Sequence, residues 1–301
     1  MNDVLQYEGA RVVVTGAASG MGLATARLLR ELGAEVVGLD IQDGPNGPDG
    51  PDAVRRCDLA DPASIDAAVA AIGGTVDSLF NCAGLPTTAP GQRIVRVNFL
   101  GHRHLTEALL ASMPAGSSIG FISSAAGMGW QQNVDLLSGL LATDGFDAGA
   151  AWCDAHDDAI AANGYGFSKE AINAYVAWRG FQVASRVRIN SIQPGPTDTP
   201  MMQLRGTDGR RVLRAVPQTR RSELATRRAG VGARHGEQPA VELRRGDQRV
   251  HRRRPERRPV HQQHRLRRTV QRLTPASSDA DVPGRAVRSN RCLRRRNGSS
   301  T

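Results

Sequence analysis

The chain has 301 residues, with 39 Lys and Arg against 29 Asp and Glu and a formal net charge of +10 at pH 7. The charge is unevenly divided: residues 1–204 hold 12 basic and 21 acidic residues (net −9), whereas residues 205–301 hold 27 and 8 (net +19). No run of 18 apolar residues occurs, which excludes a membrane-spanning helix. The four cysteines stand far apart without a ligand-spaced partner, so we expect reduced thiols and no metal site.

Residues 1–16 contain two acids and no apolar signal core, so we expect a cytoplasmic protein without a secretory signal. Beyond them, short apolar runs alternate with helical patterns. The predicted strands span residues 11–14, 35–39, 78–80, 118–122 and 186–192. The predicted helices cover residues 65–72, 92–111 and 165–181, and a further helical pattern passes through Leu28, Leu29 and Leu32. Uniformly apolar strands between helices predict an α/β fold, a doubly wound, Rossmann-like parallel sheet within residues 1–204.

A glycine-rich segment, Thr15-Gly16-Ala17-Ala18-Ser19-Gly20-Met21-Gly22, lies between the first predicted strand and the first helix. Glycines at such a turn let the backbone approach a pyrophosphate, and the following helix N-terminus presents free N–H groups to it. Asp40 ends the second predicted strand. A carboxylate there accepts the ribose hydroxyls of NAD(H) and repels the 2′-phosphate of NADP(H). The alternative is that Asp40 only opens a turn.

Tyr165 and Lys169 stand four residues apart in a predicted helix and so project from one face. Lys169 is the only lysine of the chain, beside 38 arginines. A composition that keeps one lysine here indicates a need for a compact ammonium group, which Arg cannot imitate. The alternative is a chance pair on an amphipathic helix.

Taken together, these motifs resemble the short-chain dehydrogenase/reductase family, and the resemblance ends near residues 204–217. It implies an NAD(H)-dependent enzyme, and its cofactor-binding residues would be Gly16, Ser19, Gly20, Met21, Gly22, Asp40, Asp58, Leu59, Asn81, Ala83, Gly84, Tyr165, Lys169, Pro194, Gly195, Thr197 and Thr199. Cys82 stands where the family has a second Asn. The resemblance also implies a small-molecule alcohol or carbonyl substrate and, when the C-terminus is intact, a homo-oligomer.

The catalytic residues that the resemblance implies are Asn98, Ser124, Tyr165 and Lys169. Tyr165 would be the acid/base, and the charge of Lys169 would favour its phenolate while the ammonium holds the nicotinamide ribose. Ser124, not Ser123, would hold the substrate oxygen. Asn98 would support a proton relay through its main chain; the alternative is an Asn that bends its helix.

Ser124 and Tyr165 are 41 positions apart, which is longer than most of the family needs. Apolar residues recur at helical spacing in between, so we expect a helical insertion over residues 128–164 that covers the mouth of the active site. Such an insertion is similar to that of the bacterial 3α-hydroxysteroid dehydrogenase/carbonyl reductase and coniferyl-alcohol dehydrogenase-like groups. This implies a bulky, hydroxysteroid-like or aromatic alcohol, with Met128 and Trp130 as candidate pocket residues. The alternative is that the insertion's apolar residues pack on the body of the domain.

Residues 205–301 hold 27 arginines and no aromatic residue, and we expect no independent domain there. Three interpretations compete: a disordered tail, a nucleic-acid-binding arm, and a change of reading frame near residue 218. We favour the third, because Arg enrichment and the loss of aromatics and of every family motif coincide. The competing function is a non-catalytic Rossmann scaffold with a basic nucleic-acid-binding tail.

Overall fold

A parallel sheet of six strands forms the centre of the computed structural model, which describes residues 5–45 and 47–203. The strands are β1 (Arg11–Thr15), β2 (Glu35–Asp40), β3 (Ala53–Arg56), β4 (Ser78–Asn81), β5 (Ser118–Ile122) and β6 (Arg188–Ile192). Their order in the sheet is β3-β2-β1-β4-β5-β6. The predicted Rossmann-like fold is confirmed, and the interpretations of residues 205–301 lie outside the described residues.

Helices cover both faces of the sheet. They are α1 (Gly20–Glu31), α2 (Pro62–Ile72), α3 (Gly91–Val95), α4 (His102–Leu110), α5 (Val134–Leu141), α6 (Gly145–Ala155), α7 (Asp157–Ala161), α8 (Gly164–Val183) and α9 (Pro200–Gln203). Val12 and Val14 of β1 belong to the core under α1, and Val13 belongs to the larger core on the opposite face. This burial on both faces explains why the strand is apolar at every position.

The chain between α3 and α4 forms a π-helical segment, Arg96–Gly101, so the predicted helix over 92–111 is interrupted by one wide turn. Gly101 ends this segment at a close approach, because a Cβ there would lie 2.8 Å from the Leu59 Cβ atom. π-helical turns are rare and occur often at functional sites.

Apart from Asn163, which borders the cavity beside Tyr165, the helical insertion packs on the helix layer. Its residues Leu137, Leu140, Phe146 and Ile160 are buried in the larger core, on α3, the π-helical segment, α4 and α8. Arg103 of α4 anchors it: the buried guanidinium donates to the Leu140 carbonyl and the Thr143 hydroxyl, each at 3.1 Å, and to the Gly145 carbonyl. Of the two interpretations of the insertion, packing on the body of the domain is the one that the structure supports.

The strand order reverses between β1 and β4, which are neighbours although two strands separate them in sequence. Connections on either side of such a reversal diverge and leave a crevice at the carboxyl ends of the strands. Within the described ranges, no helix is both long and apolar enough to cross a bilayer.

Candidate active site

Two adjoining cavities of about 390 and 350 Å³ occupy this crevice. The first lies over the carboxyl ends of β1 and β2, and the second lies beside β5 and α8. Residues that border both are Met21, Cys82, Ala83, Gly84, Leu85, Pro86, Thr199 and Met201. The two cavities therefore form one cleft.

The predicted glycine-rich loop lines the first cavity. Gly16 has φ +69°, and a Cβ there would lie 2.8 Å from the Ala83 Cα atom, so only glycine fits. Gly22 is equally restricted, because a Cβ would lie 2.8 Å from the Thr15 carbonyl oxygen. The Ser19 side chain makes no capping bond to α1. The first turn of this helix, which contains no acidic residue, therefore faces the cavity with N–H groups free for an anion.

Two carboxylates border the far end of the first cavity. Asp40 accepts hydrogen bonds from the main-chain N–H groups of Ala18 (2.9 Å) and Gln42 (3.0 Å). Asp58 accepts one from Ala60 at 2.8 Å, and Leu59 lies beside it in the cavity wall. Asp40 thus makes the turn contact considered from the sequence and also lines the cavity, so the two interpretations are compatible.

The residues from Asn81 to Gly84 lie partly in the sheet and partly in the wall of the cleft. Ala83 and Gly84 border both cavities, whereas Asn81 borders neither. The Asn81 amide is buried and donates to the Thr106 hydroxyl at 3.2 Å, on the α4 side of the sheet. Its side chain therefore lies in the core, away from the predicted cofactor contact.

Tyr165 and Lys169 face the second cavity from one side of α8, as their spacing predicts. The Lys169 side chain is 4% exposed, and its ammonium donates to the Ile122 carbonyl at 2.7 Å. The Nζ atom lies 5.6 Å from the centre of the Tyr165 ring. Burial lowers the pKa of Lys169 from 10.5 to about 8, because a charge is poorly solvated there.

The two serines that follow β5 differ in what their hydroxyls do. The Ser123 hydroxyl is buried and donates to the Lys169 carbonyl at 3.1 Å. The Ser124 hydroxyl accepts from the Ala126 N–H at 3.2 Å and borders the second cavity, with its own proton left for another acceptor. Of the two, Ser124 is the one whose proton is available to a bound molecule.

Asn98 lies in the π-helical segment and borders the second cavity. Its side-chain oxygen accepts from the Leu85 N–H (2.7 Å), and its side-chain nitrogen donates to the Leu85 carbonyl (3.2 Å) and to the Ser168 hydroxyl (3.5 Å). Its main-chain carbonyl is hydrogen-bonded to the His102 imidazole at 3.1 Å. His102 is fully buried behind the cleft and was not predicted from the sequence. The available signal was a histidine on the largely apolar buried face of α4.

The Pro-Gly turn after β6 closes the cleft. Pro194, Gly195, Thr197 and Thr199, the predicted cofactor contacts of this turn, border the second cavity. The Pro194 carbonyl accepts from the Ala125 N–H at 3.2 Å, which ties this turn to the segment after Ser124.

The rest of the second cavity is mostly apolar, with walls of Leu85, Pro86, Ala126, Met201 and Met202, and Thr87 and Asn163 add polar groups. Within the described ranges, Lys169 is the only charged residue on its lining. Met128 and Trp130 border neither cavity: Met128 is 64% exposed, and Trp130 packs against the core. The expectation that they line the pocket is therefore wrong, because the insertion lies on the helix layer.

Comparisons with known proteins agree on one family. A family model described as "short chain dehydrogenase" matches residues 10–135. Coniferyl-alcohol dehydrogenase of Pseudomonas sp. (strain HR199 / DSM 7063) is 37% identical over 203 residues, covering 66% of this chain and 77% of the relative. The 3-alpha-hydroxysteroid dehydrogenase/carbonyl reductase of Comamonas testosteroni is 31% identical over 198 residues, covering 64% and 74%. The crystal structure of 3-alpha-hydroxysteroid dehydrogenase from Pseudomonas sp. B-0831, complexed with NADH, superposes with a TM-score of 0.56 at 28% identity, covering 67% and 78%.

Proposed function

Because the chain belongs to the short-chain dehydrogenase family, we propose that residues 1–204 form an NAD(H)-dependent oxidoreductase that interconverts a bulky, uncharged alcohol and its carbonyl compound. The observation that carries this proposal is the grouping of Tyr165, Ser124 and Lys169 around one cavity that opens into the glycine-lined cavity. The names of the two relatives support a hydroxysteroid-like or aromatic alcohol. That the protein is cytoplasmic and forms a homo-oligomer stays a prediction.

The first cavity fits the adenosine diphosphate half of a dinucleotide. Gly16 and Gly22 remove side chains where the backbone must approach a pyrophosphate, and α1 directs its free N–H groups there. The Asp40 carboxylate favours ribose hydroxyls over a 2′-phosphate, which supports NAD(H) over NADP(H). When bound, the nicotinamide accepts or donates the hydride.

The second cavity holds the groups that handle the proton. In the oxidation direction, the Tyr165 phenolate takes the alcohol proton while Ser124 donates a hydrogen bond to the same oxygen. The Lys169 ammonium, in a poorly solvated site, stabilises the phenolate electrostatically. One of its three protons binds the Ile122 carbonyl, and the other two are free for the nicotinamide ribose and for a water on the Asn98 carbonyl.

The lining of the second cavity supports the substrate class. Leu85, Pro86, Met201 and Met202 provide an apolar surface that favours steroid or aromatic rings. A substrate carboxylate or phosphate would find no arginine among the described residues that line this cavity. We therefore expect uncharged alcohols to be preferred over charged ones of the same size.

The test compares Tyr165→Phe with the control Tyr7→Phe, in which the altered ring packs against Phe80 away from the cleft. Loss of the Tyr165 hydroxyl removes only proton transfer, so turnover should fall by about 10²–10⁴-fold while NADH affinity stays within about twofold. Tyr7→Phe should leave both unchanged. Retention of more than about a tenth of the rate in Tyr165→Phe contradicts the acid/base role.

The serine pair supplies a second test. Ser124→Ala should lower turnover because the substrate oxygen loses its donor. Ser123→Ala should lower thermal stability, through the Lys169 carbonyl, more than it lowers turnover. The reverse result would assign the substrate contact to Ser123.

A further inference from the structure

Residues 82–85 line both cavities, and a closed ring of hydrogen bonds surrounds them. At one end of this 82–85 segment, the Thr15 hydroxyl oxygen accepts from the N–H groups of Cys82 (2.9 Å) and Ala83 (3.0 Å). At the other end, the Asn98 amide clamps the main chain of Leu85. The His102 imidazole joins the two ends, with Nε2 at 3.1 Å from the Thr15 hydroxyl and Nδ1 at 3.1 Å from the Asn98 carbonyl.

The partners determine the protonation of His102. The Thr15 oxygen already accepts two N–H groups, so its own proton is left to be donated. The only imidazole atom in reach is Nε2, which must then be the unprotonated acceptor. The proton of the neutral ring is therefore on Nδ1, where it donates to the Asn98 carbonyl. This tautomer satisfies every polar atom of the ring.

We propose that His102 is a positioning residue that closes this ring and thereby holds the 82–85 segment in place between the two cavities. The inference rests on the proposed function, because the segment forms the shared wall of the proposed dinucleotide and substrate sites. A histidine suits the task because one rigid side chain supplies an acceptor and a donor on opposite sides. Burial, with a smaller contribution from Lys169, lowers the pKa of His102 to about 3, so the ring stays neutral.

The test uses three variants of His102 and a matched control. His102→Phe keeps a ring and removes both hydrogen bonds, His102→Gln places an acceptor near Thr15, and His102→Asn places a donor near the Asn98 carbonyl. The control is His104→Phe, on the same helix, where the imidazole pairs with Asp66 at 2.7 Å on the surface.

His102→Phe should lower kcat by about tenfold to a hundredfold, because a loose 82–85 segment misplaces the reacting groups. The affinity for ADP-ribose, which lacks the nicotinamide, should fall by a smaller factor than kcat, because Gly22 and Asp40 lie outside the 82–85 segment. His104→Phe should leave kcat within about twofold of wild type. His102→Gln and His102→Asn should each restore part of the loss. They also serve as the test should His102→Phe fail to fold.

A double-mutant cycle separates positioning from simple filling of space. Thr15→Val removes the hydroxyl, part of whose effect passes through His102, so it should lower kcat by a clearly smaller factor in the His102→Phe background than in the wild type. Additive losses, or a folded His102→Phe protein with wild-type kcat, would overturn the proposal.

A readout that needs no turnover keeps this inference distinct from the proposed function. In ¹⁵N NMR of histidine-labelled protein, His102 should show a protonated Nδ1 and an unprotonated Nε2 at neutral pH. The opposite tautomer or a charged ring would contradict the hydrogen-bond ring even if the enzyme is active. Absence of NADH binding and alcohol turnover in the wild type would refute the proposed function. The tautomer seen by NMR would still show whether the hydrogen-bond ring through His102 exists.

Discussion

Replacement of Lys169 by Met should inactivate the enzyme and stabilise it. Lys169 is the only lysine in the chain, and its ammonium is almost completely buried. Burial lowers its pKa from 10.5 to about 8, so keeping it charged at neutral pH opposes folding. A methionine of similar length removes the charge and keeps the packing.

The size of the effect follows from the pKa shift. The pKa falls from 10.5 to about 8, and at about 1.4 kcal/mol per unit the charged form destabilises the fold by about 3 kcal/mol at pH 7. Loss of the hydrogen bond to the Ile122 carbonyl offsets about half of this, which leaves a gain of about 1–2 kcal/mol. For a domain of this size, the thermal midpoint should rise by about 2–8 °C.

The sign changes with pH in a defined way. Between pH 8 and 10.5 the unfolded chain binds the lysine proton and the folded chain does not, so wild-type stability rises relative to Lys169→Met as the pH rises. By about pH 10.5 the advantage of the variant should have disappeared. Other titrating groups occur in both proteins and largely cancel in the difference.

The assay is urea or thermal unfolding of both proteins without cofactor at pH 7 and pH 10.5. Lys169→Arg is the control, because Arg keeps its charge at both pH values and should not gain stability at either. A Lys169→Met protein less stable than wild type at pH 7 by more than about 1 kcal/mol, or a difference that does not change with pH, would refute the reasoning.

Three further predictions concern other parts of the structure. Asp40→Ala should weaken binding of NADH more than of NADPH, because the carboxylate that repels the 2′-phosphate is lost. Equal losses of affinity in a fluorescence titration would contradict the role of Asp40 in selecting NAD(H). Gly16→Ala should lower NADH affinity by about tenfold, since a side chain at φ +69° is strained and meets Ala83; unchanged affinity would contradict the close approach. Arg103→Met should destabilise the fold by about 3 kcal/mol, because the guanidinium holds the insertion through three hydrogen bonds. Arg96→Met, which removes a surface ion pair with Asp154, should cost less than about 1 kcal/mol. Similar thermal midpoints of the two variants would contradict the anchoring role of Arg103.

The sequence predicted the four inner strands, β1, β2, β4 and β5, and also the edge strand β6, which is only partly buried. β1 and β2 give the clearest signal, because their apolar runs are buried on both faces of the sheet. β3 (Ala53–Arg56) was not predicted, because this edge strand is half-exposed and carries two arginines. The π-helical segment was not predicted either, because one wide turn leaves the apolar spacing of residues 92–111 nearly unchanged.

The candidate site was more predictable than the contacts that support it. Every predicted cofactor-binding and catalytic residue borders the cleft except Asn81, whose motif could not show that its amide turns into the core towards Thr106, and the candidate pocket residues Met128 and Trp130 border neither cavity. His102 was not predicted because its partner Thr15 lies 87 residues away, a separation that only the folded chain bridges. The surface on which the insertion packs could not be predicted either, because helical periodicity indicates an apolar face without showing which part of the domain it covers.

The central claim is that the cleft transfers a hydride between an alcohol and NAD. The most direct measurement supplies NAD⁺ and an aromatic primary alcohol, or a hydroxysteroid, that carries deuterium on its carbinol carbon, and analyses the dinucleotide by mass spectrometry. The account predicts reduced dinucleotide with one transferred deuterium from the wild type and none above background from Tyr165→Phe. Failure of the folded, NADH-binding wild type to label the dinucleotide from any such alcohol, or equal labelling by the Tyr165→Phe variant, would contradict it.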